Sequence, residues 1–186
     1  VHLFPPQDGI DEWRFLIDVW IPIDNMKERV RRDKVAYDKW SKEKYLTATP
    51  GDVVDYRFIK TRLEQTDILY NTKHYCADPW HLEVLRQQFG FEIQNKFVER
   101  SQTIAGMSKA MGELERLFRA KKITHQINPI GRWCFGNIVV APDGNENIKP
   151  MKNKSIDRID PMVALINAMA GAIKLEEKTS VYESRG

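Results

Sequence analysis

The spacing of apolar positions along the chain predicts a domain of alternating strands and helices. Short runs rich in β-branched and aromatic residues indicate strands, and the first two of these enclose a Pro- and Gly-containing turn typical of a hairpin. The expected strands are Val1 to Phe4, Trp13 to Ile21, His74 to Ala77, Phe91 to Val98, Ile123 to Ile127, and Ile138 to Ala141 with Ile148 as its partner.

Helices are predicted between these strands, where apolar residues recur at every third or fourth position. The expected helices run from Asp24 or Asn25 to Arg32, from Asp52 to Ile68, Leu82 to Phe89, Met107 to Ala120, Pro129 to Phe135, and Pro161 to about Leu175. A hairpin followed by alternating strands and helices implies an α/β fold with a mixed sheet. We expect one domain over residues 1–175 and a polar, frayed tail over residues 176–186.

Composition narrows the class of protein only slightly. The 186 residues are 42% hydrophobic and 30% charged, which suits a globular domain with a real core. A net charge of +3 is too small to indicate nucleic-acid binding, so only local clusters of charge can indicate it. The two cysteines fit neither a disulfide framework nor a zinc motif, and we expect a reduced, intracellular protein.

Two aspartates stand where α/β folds place chemistry. Asp78 directly follows the apolar strand that ends at Ala77, and Asp160 precedes Pro161 at the start of the last apolar helix. Side chains at the ends of parallel strands face the crevice in which such folds bind ligands. Each acid also has an ordinary structural interpretation, because Asp78 fits an Asp-Pro turn and Asp160 fits a helix N-cap or the position next to it.

Carboxylates that meet from a strand end and a helix start are suited to a metal-dependent nuclease. Mg²⁺ and Mn²⁺ prefer oxygen ligands, and two ions about 4 Å apart activate water and stabilise the leaving oxygen of a phosphodiester. We therefore expect the carboxylates of Asp78 and Asp160 to approach within about 8 Å, the reach of a two-metal site. Lys149, Lys152, Lys154 and Arg158 lead into the second acid and are candidate contacts to DNA phosphates, or ordinary solvated residues.

Several sequence motifs occur in a fixed order along most of the chain. They are Tyr75 to Trp80, Met111 to Leu117, Asn128 to Trp133, Gly136 to Val140, Asn147 to Pro150, and Ile159 to Ile166, with Phe15 to Arg32 before them. Together they resemble the C-terminal nuclease domain of the large terminase subunit of tailed bacteriophages.

Gly131 and Gly136 have the spacing of the two glycines of a P-loop. Asn137 and Ile138 stand where a P-loop has Lys and Ser or Thr, so a P-loop is excluded.

The resemblance implies a ribonuclease H-like fold with three metal-binding acids. Asp78 matches the second acid and Asp160 the third, while Asp157 falls where the family often has a further acid. Pro161 stands where the family commonly has glycine, which alters the helix start but leaves Asp160 usable. The implied cofactors are two Mg²⁺ or Mn²⁺ ions, and the implied reaction is cleavage of concatemeric double-stranded DNA during packaging.

The first of the three acids has no counterpart in these 186 residues. In the family it lies on a strand that precedes the segment resembling Val1 to Pro5, so we expect the chain alone to cut DNA poorly. That missing strand should lie between Val1 to Pro5 and His74 to Ala77. Asp18 is the strand acid that could replace the missing one, although an ordinary strand-face role fits it better. His81, close to Asp78, is a candidate substrate contact.

The resemblance also implies partners and a cellular setting. We expect an ATPase motor upstream, contacts with the terminase small subunit and the portal protein, and action in the host cytoplasm. Two other functions remain open from the sequence. One is another ribonuclease H-like nuclease, such as a resolvase or transposase core, and the other is a DNA-holding or portal-docking module whose acids bind no metal.

Overall fold

The computed structural model describes residues 1–80, 82–100, 103–142, 148–150 and 158–183. The strands are β1 (His2–Phe4), β2 (Trp13–Leu16), β3 (Trp20–Pro22), β4 (Thr47–Thr49), β5 (Tyr75–Ala77), β6 (Phe97–Glu99), β7 (Ile123–His125), β8 (Val140–Pro142) and β9 (Ile148–Pro150). The helices are α1 (Met26–Asp33), α2 (Tyr37–Lys42), α3 (Tyr56–Tyr70), α4 (Leu82–Arg86), α5 (Phe91–Gln94), α6 (Ile104–Arg119), α7 (Pro129–Gly136) and α8 (Asp160–Glu183).

Parallel and antiparallel pairings occur together, which confirms the predicted mixed α/β class. β1 and β2 form the expected antiparallel hairpin, and β7 joins the other side of β2 in parallel. β3 pairs with β4 and β5 pairs with β6, both in parallel, while β8 and β9 form an antiparallel ribbon. α8 contacts both β1 and β5, so it lies against two separate sheets.

The main core lies between the β1–β2–β7 sheet and helices α6 and α8. Phe15 of β2 is almost fully buried there, together with Leu117 of α6 and Met169 of α8. α6 forms because apolar residues recur on one face, and because Thr103 caps its start by accepting a hydrogen bond from the Gly106 amide. Packing in this core holds α8 against the β1–β2–β7 sheet.

A second apolar cluster joins α1 and α2 to α7. Met26 and Tyr37 pack there with Ile130 and Cys134 of α7. Asn128 caps α7, with its side-chain oxygen accepting from the amides of Ile130 and Gly131, and Pro129 occupies the first helical position as predicted. α7 thereby links the N-terminal helices to the start of α8.

Several boundaries differ from the sequence prediction, and four of the differences have an identifiable cause. The strand expected over Trp13 to Ile21 is broken into β2 and β3, because its second half pairs with β4 rather than with the first sheet. Phe91 to Val98 begins as α5 after Gly90, and only its end is the strand β6. The start of α3 is set by Asp55, whose carboxylate accepts from the Arg57 amide, and not by Asp52. α8 continues to Glu183 beyond the predicted Leu175, since straight-chain residues such as Lys and Glu favour helix.

None of the described helices combines the length and the apolar character needed to cross a bilayer.

Candidate active site

Asp78 lies immediately after β5 and is half-buried. Its Oδ1 accepts a hydrogen bond of 2.8 Å from the Trp80 amide, and the Leu82 amide bonds to the Pro79 carbonyl at 3.2 Å. These bonds form the expected Asp-Pro turn, which leads into α4. The turn engages one carboxylate oxygen, so the structural interpretation and a ligand role for Oδ2 are compatible.

The neighbours of Asp78 show which face of β5 it belongs to. Cys76, two residues earlier, packs against Gly171 of α8 so closely that an added Cβ on this glycine would overlap the Cys76 Sγ. Residues two apart in a strand point to the same face. Continuing that alternation one step past β5 directs the Asp78 side chain toward the side of the β5–β6 pair on which α8 lies.

Arg100 lies beside Asp78 in the parallel register of β5 and β6. Its amide donates to the Ala77 carbonyl at 2.8 Å, and its guanidinium reaches the Cys76 thiol. Burial raises the pKa of that thiol, and the hydrogen bond from Arg100 partly opposes this increase. Arg100 therefore places a positive charge within the contact between β5 and α8.

Asp160 is the first residue of α8 and is exposed. The Ile159 carbonyl accepts bonds from the amides of Met162 at 2.9 Å and Val163 at 3.1 Å, so Ile159 holds the N-cap position. Of the two expected positions, Asp160 therefore occupies the one next to the N-cap and not the N-cap itself, and Pro161 is the second helical residue rather than the first. A carboxylate in the first turn still interacts favourably with the helix dipole, by about 0.3–1 kcal/mol.

The Cys76–Gly171 contact limits how closely the two acids can approach. Gly171 follows Asp160 by about 16 Å of helix axis, and Asp78 lies about 7 Å of extended chain beyond Cys76. If β5 points toward the start of α8, about 10 Å of axial separation remains between the two Asp backbones. Two ions with their ligand bonds span about 8 Å, so the expected approach is compatible with this packing and stays a prediction.

Asp18 lies in a separate ion cluster. It accepts hydrogen bonds from Arg62 Nε at 2.7 Å, and it lies 2.6 Å from His2 Nε2. Partial burial opposes its charge, but hydrogen bonds and charges from His2 and Arg62 hold the pKa of Asp18 well below its usual range. The cluster ties β1, the segment after β2 and helix α3 together, so Asp18 has a structural role, but it lies between β2 and β3 and not on a strand face as expected.

Comparison with known proteins decides the family. The family model of the terminase large subunit endonuclease domain matches residues 6–176. The chain belongs to this family. Among curated relatives, Protein YmfN of Escherichia coli (strain K12) is 31% identical over 170 residues, covering 88% of this chain and 37% of that protein.

Phage proteins agree with this assignment. The terminase large subunit of Enterobacteria phage HK97 is 30% identical over 166 residues, covering 89% of this chain and 32% of its own length. The crystal structure of the HK97 bacteriophage large terminase superposes with a TM-score of 0.77 at 28% identity, covering 91% of this chain and 35% of that one. The chain thus spans about a third of the length of these relatives.

Only some of the remaining predicted site residues of this terminase nuclease domain lie within the described residues. Asp157, Lys152, Lys154 and His81 lie outside the described residues, and only the backbone of Lys149, in β9, is described. Arg158 is exposed two residues before Asp160, and its carbonyl accepts from the Asn137 side chain at 3.2 Å. The hydrogen bond from Arg32 lowers the pKa of Asp33, at the end of α1, and the charge of Arg158 adds to this effect, so the end of α1 lies within electrostatic reach of Arg158.

Proposed function

We propose that this domain is a metal-dependent endonuclease of ribonuclease H-like fold, which cuts concatemeric double-stranded phage DNA during packaging. One observation carries the proposal: Cys76 of β5 packs on Gly171 of α8, and strand alternation then directs Asp78 toward this helix, whose first residue is Asp160. The family assignment favours this reading over a resolvase or transposase core.

The chemistry of these residues fits Mg²⁺ or Mn²⁺. Carboxylate oxygens are the ligands that both ions prefer, and the turn at Asp78 holds its carboxylate in a defined orientation. Among the described residues, however, no three His, Cys, Asp or Glu side chains converge as a metal site. Following the three-acid pattern of the family, we infer that Asp157 and an acid from outside these 186 residues complete the site of Asp78 and Asp160.

In the proposed reaction, the acidic and basic residues of the chain have different roles. Two bound ions would supply an activated water and charge stabilisation for the leaving oxygen. Asp78 and Asp160 hold the negative charge that attracts the ions, from two elements fixed by the packing of β5 on α8. Arg158, together with Lys149, Lys152 and Lys154, would neutralise DNA phosphates and hold the backbone near the acids.

Replacing each acid by its amide tests the proposal. In the longest native polypeptide that contains these residues, Asp78→Asn and Asp160→Asn should each abolish Mn²⁺-dependent plasmid cleavage. Mn²⁺ affinity, measured by calorimetry, should fall in both variants, whereas thermal unfolding should change little because neither acid is in the core. Asp38→Asn, on the exposed surface of α2, is the matched control.

Unchanged Mn²⁺ affinity in both variants would contradict the proposal and favour a DNA-holding or portal-docking module. We further expect the 186 residues alone to cut poorly, because the first of the family's three acids has no counterpart in them. An upstream ATPase motor, the terminase small subunit, the portal protein and the host cytoplasm complete the proposed setting. They rest on the family assignment.

A further inference from the structure

Trp80 has a large apolar side chain whose surface is mostly exposed to solvent. It is 80% exposed, whereas Trp13 in the core is 7% exposed. Single exposed apolar residues are common on protein surfaces and by themselves indicate nothing. Trp80 differs by its position, because it lies two residues after Asp78 and outside the apolar clusters that form the core.

The backbone around Trp80 is held in place. Its amide donates to the Asp78 carboxylate at 2.8 Å, and the turn continues into α4, whose first residue Leu82 is buried. The two ends of such a tight turn lie within about 7 Å of each other. The backbone of Trp80 is therefore held beside the carboxylate, and its side chain is 80% exposed at that place.

We propose that Trp80 contacts duplex DNA next to the scissile phosphate, and so positions the phosphodiester over the acids. This inference rests on the proposed nuclease function. A phosphate held near Asp78 brings the adjoining nucleotides within reach of the ring, since successive nucleotides of one strand are about 3.4 Å apart along the duplex axis. An aromatic side chain can pack against the sugars of the duplex backbone, which gives affinity and position without reading a base sequence.

The test compares DNA affinity in three variants. Binding of a fluorescent duplex is measured by anisotropy in Ca²⁺, so that cleavage does not interfere, using the longest native polypeptide that contains these residues. Trp80→Ala should weaken binding about tenfold, the change that corresponds to 1.4 kcal/mol. Trp80→Phe should retain most of the affinity because it keeps an aromatic face. Ile127→Ala removes an 88% exposed apolar side chain after β7 and should change nothing.

Cleavage kinetics separate positioning from folding. In Mn²⁺, Trp80→Ala should raise KM and lower kcat, while its thermal unfolding remains that of the wild type because the side chain is exposed. Wild-type affinity in Trp80→Ala, alone or with an altered oligomeric state, overturns the inference and leaves the nuclease proposal standing. Conversely, DNA binding that depends on Trp80 in a protein that neither binds Mn²⁺ nor cuts supports the contact and overturns the nuclease.

Discussion

Replacing Gly171 by alanine tests the contact that places β5 on α8. The added Cβ would overlap the Cys76 Sγ, and it would lie 3.8 Å from the Cys76 Cβ and 3.7 Å from Arg100 Nη2. Gly171 lies inside a long helix, where alanine would ordinarily be the better residue. The sign of the effect therefore depends on whether the thiol can move.

Displacing the Cys76 thiol should cost free energy, because the surrounding contacts restrict it. Its sulfur is placed by a single side-chain torsion, is half-buried, and lies beside the Arg100 guanidinium in the contact between β5 and α8. Forcing extra volume into such a contact costs about 1–3 kcal/mol, against about 1 kcal/mol gained from helix propensity. We expect Gly171→Ala to lower the free energy of unfolding by about 1 kcal/mol, the difference between these two effects.

Gly112 provides a matched control. It also lies inside a helix, α6, but nothing lies within 4 Å of an added Cβ. Gly112→Ala should therefore raise the free energy of unfolding by up to about 1 kcal/mol. The two variants should differ by about 2 kcal/mol in urea unfolding, or about 4–8 °C in Tm for a domain of this size.

A double-mutant cycle shows whether the thiol is the cause. In a Cys76→Ala background the sulfur is gone, so Gly171→Ala should become stabilising, as at Gly112. In the otherwise unaltered chain, Gly171→Ala should also weaken Mn²⁺ binding, because β5 carries Asp78. Equal stabilisation by Gly171→Ala and Gly112→Ala would refute the reasoning and show that β5 is positioned by something else.

Two more predictions follow from charge. Asp18→Asn should destabilise the chain by about 2 kcal/mol at neutral pH, the scale of a hydrogen bond to a charged group. Because the folded pKa is depressed, this stabilisation is present above about pH 4 and is lost as the pH falls below that value, so urea unfolding of variant and wild type should converge in acid. Since the end of α1 lies within electrostatic reach of Arg158, reversing Lys27 and Arg31 of this helix to Glu should weaken duplex binding and lower its salt slope by about one to two. Equal weakening on reversing Lys121 and Lys122, after α6, would contradict that placement.

The elements that the sequence predicted well are those with strong local signals. α6 has regular apolar spacing and a threonine cap, and α7 has the Asn128-Pro129 start. The segment from Phe91 to Val98 carries no such signal, because its apolar spacing fits a helix or a strand. Gly90 and the pairing of Phe97 to Glu99 with β5 decide the outcome there.

Tertiary partners explain what the sequence could not predict about the site. Asp18 meets His2 and Arg62, which lie 16 and 44 residues away, and no local pattern indicates either contact. Asp78 and Asp160 were found from their places at a strand end and a helix start, together with the resemblance. Their relative position depends on Cys76 packing on Gly171, a contact between two small residues that no periodicity reveals.

The position of β1 and β5 on α8 bears on how the family's first acid, which has no counterpart in these 186 residues, would reach the site. β1 and β5 both contact α8, yet among the described residues β1 pairs with β2 alone and β5 with β6 alone. Each therefore presents an open edge, which favours pairing with another strand. One strand between them needs edges about 10 Å apart, twice the usual strand spacing. Such a strand would run beside Asp78, so an acid on it would complete the site without help from Asp18, which His2 and Arg62 already engage.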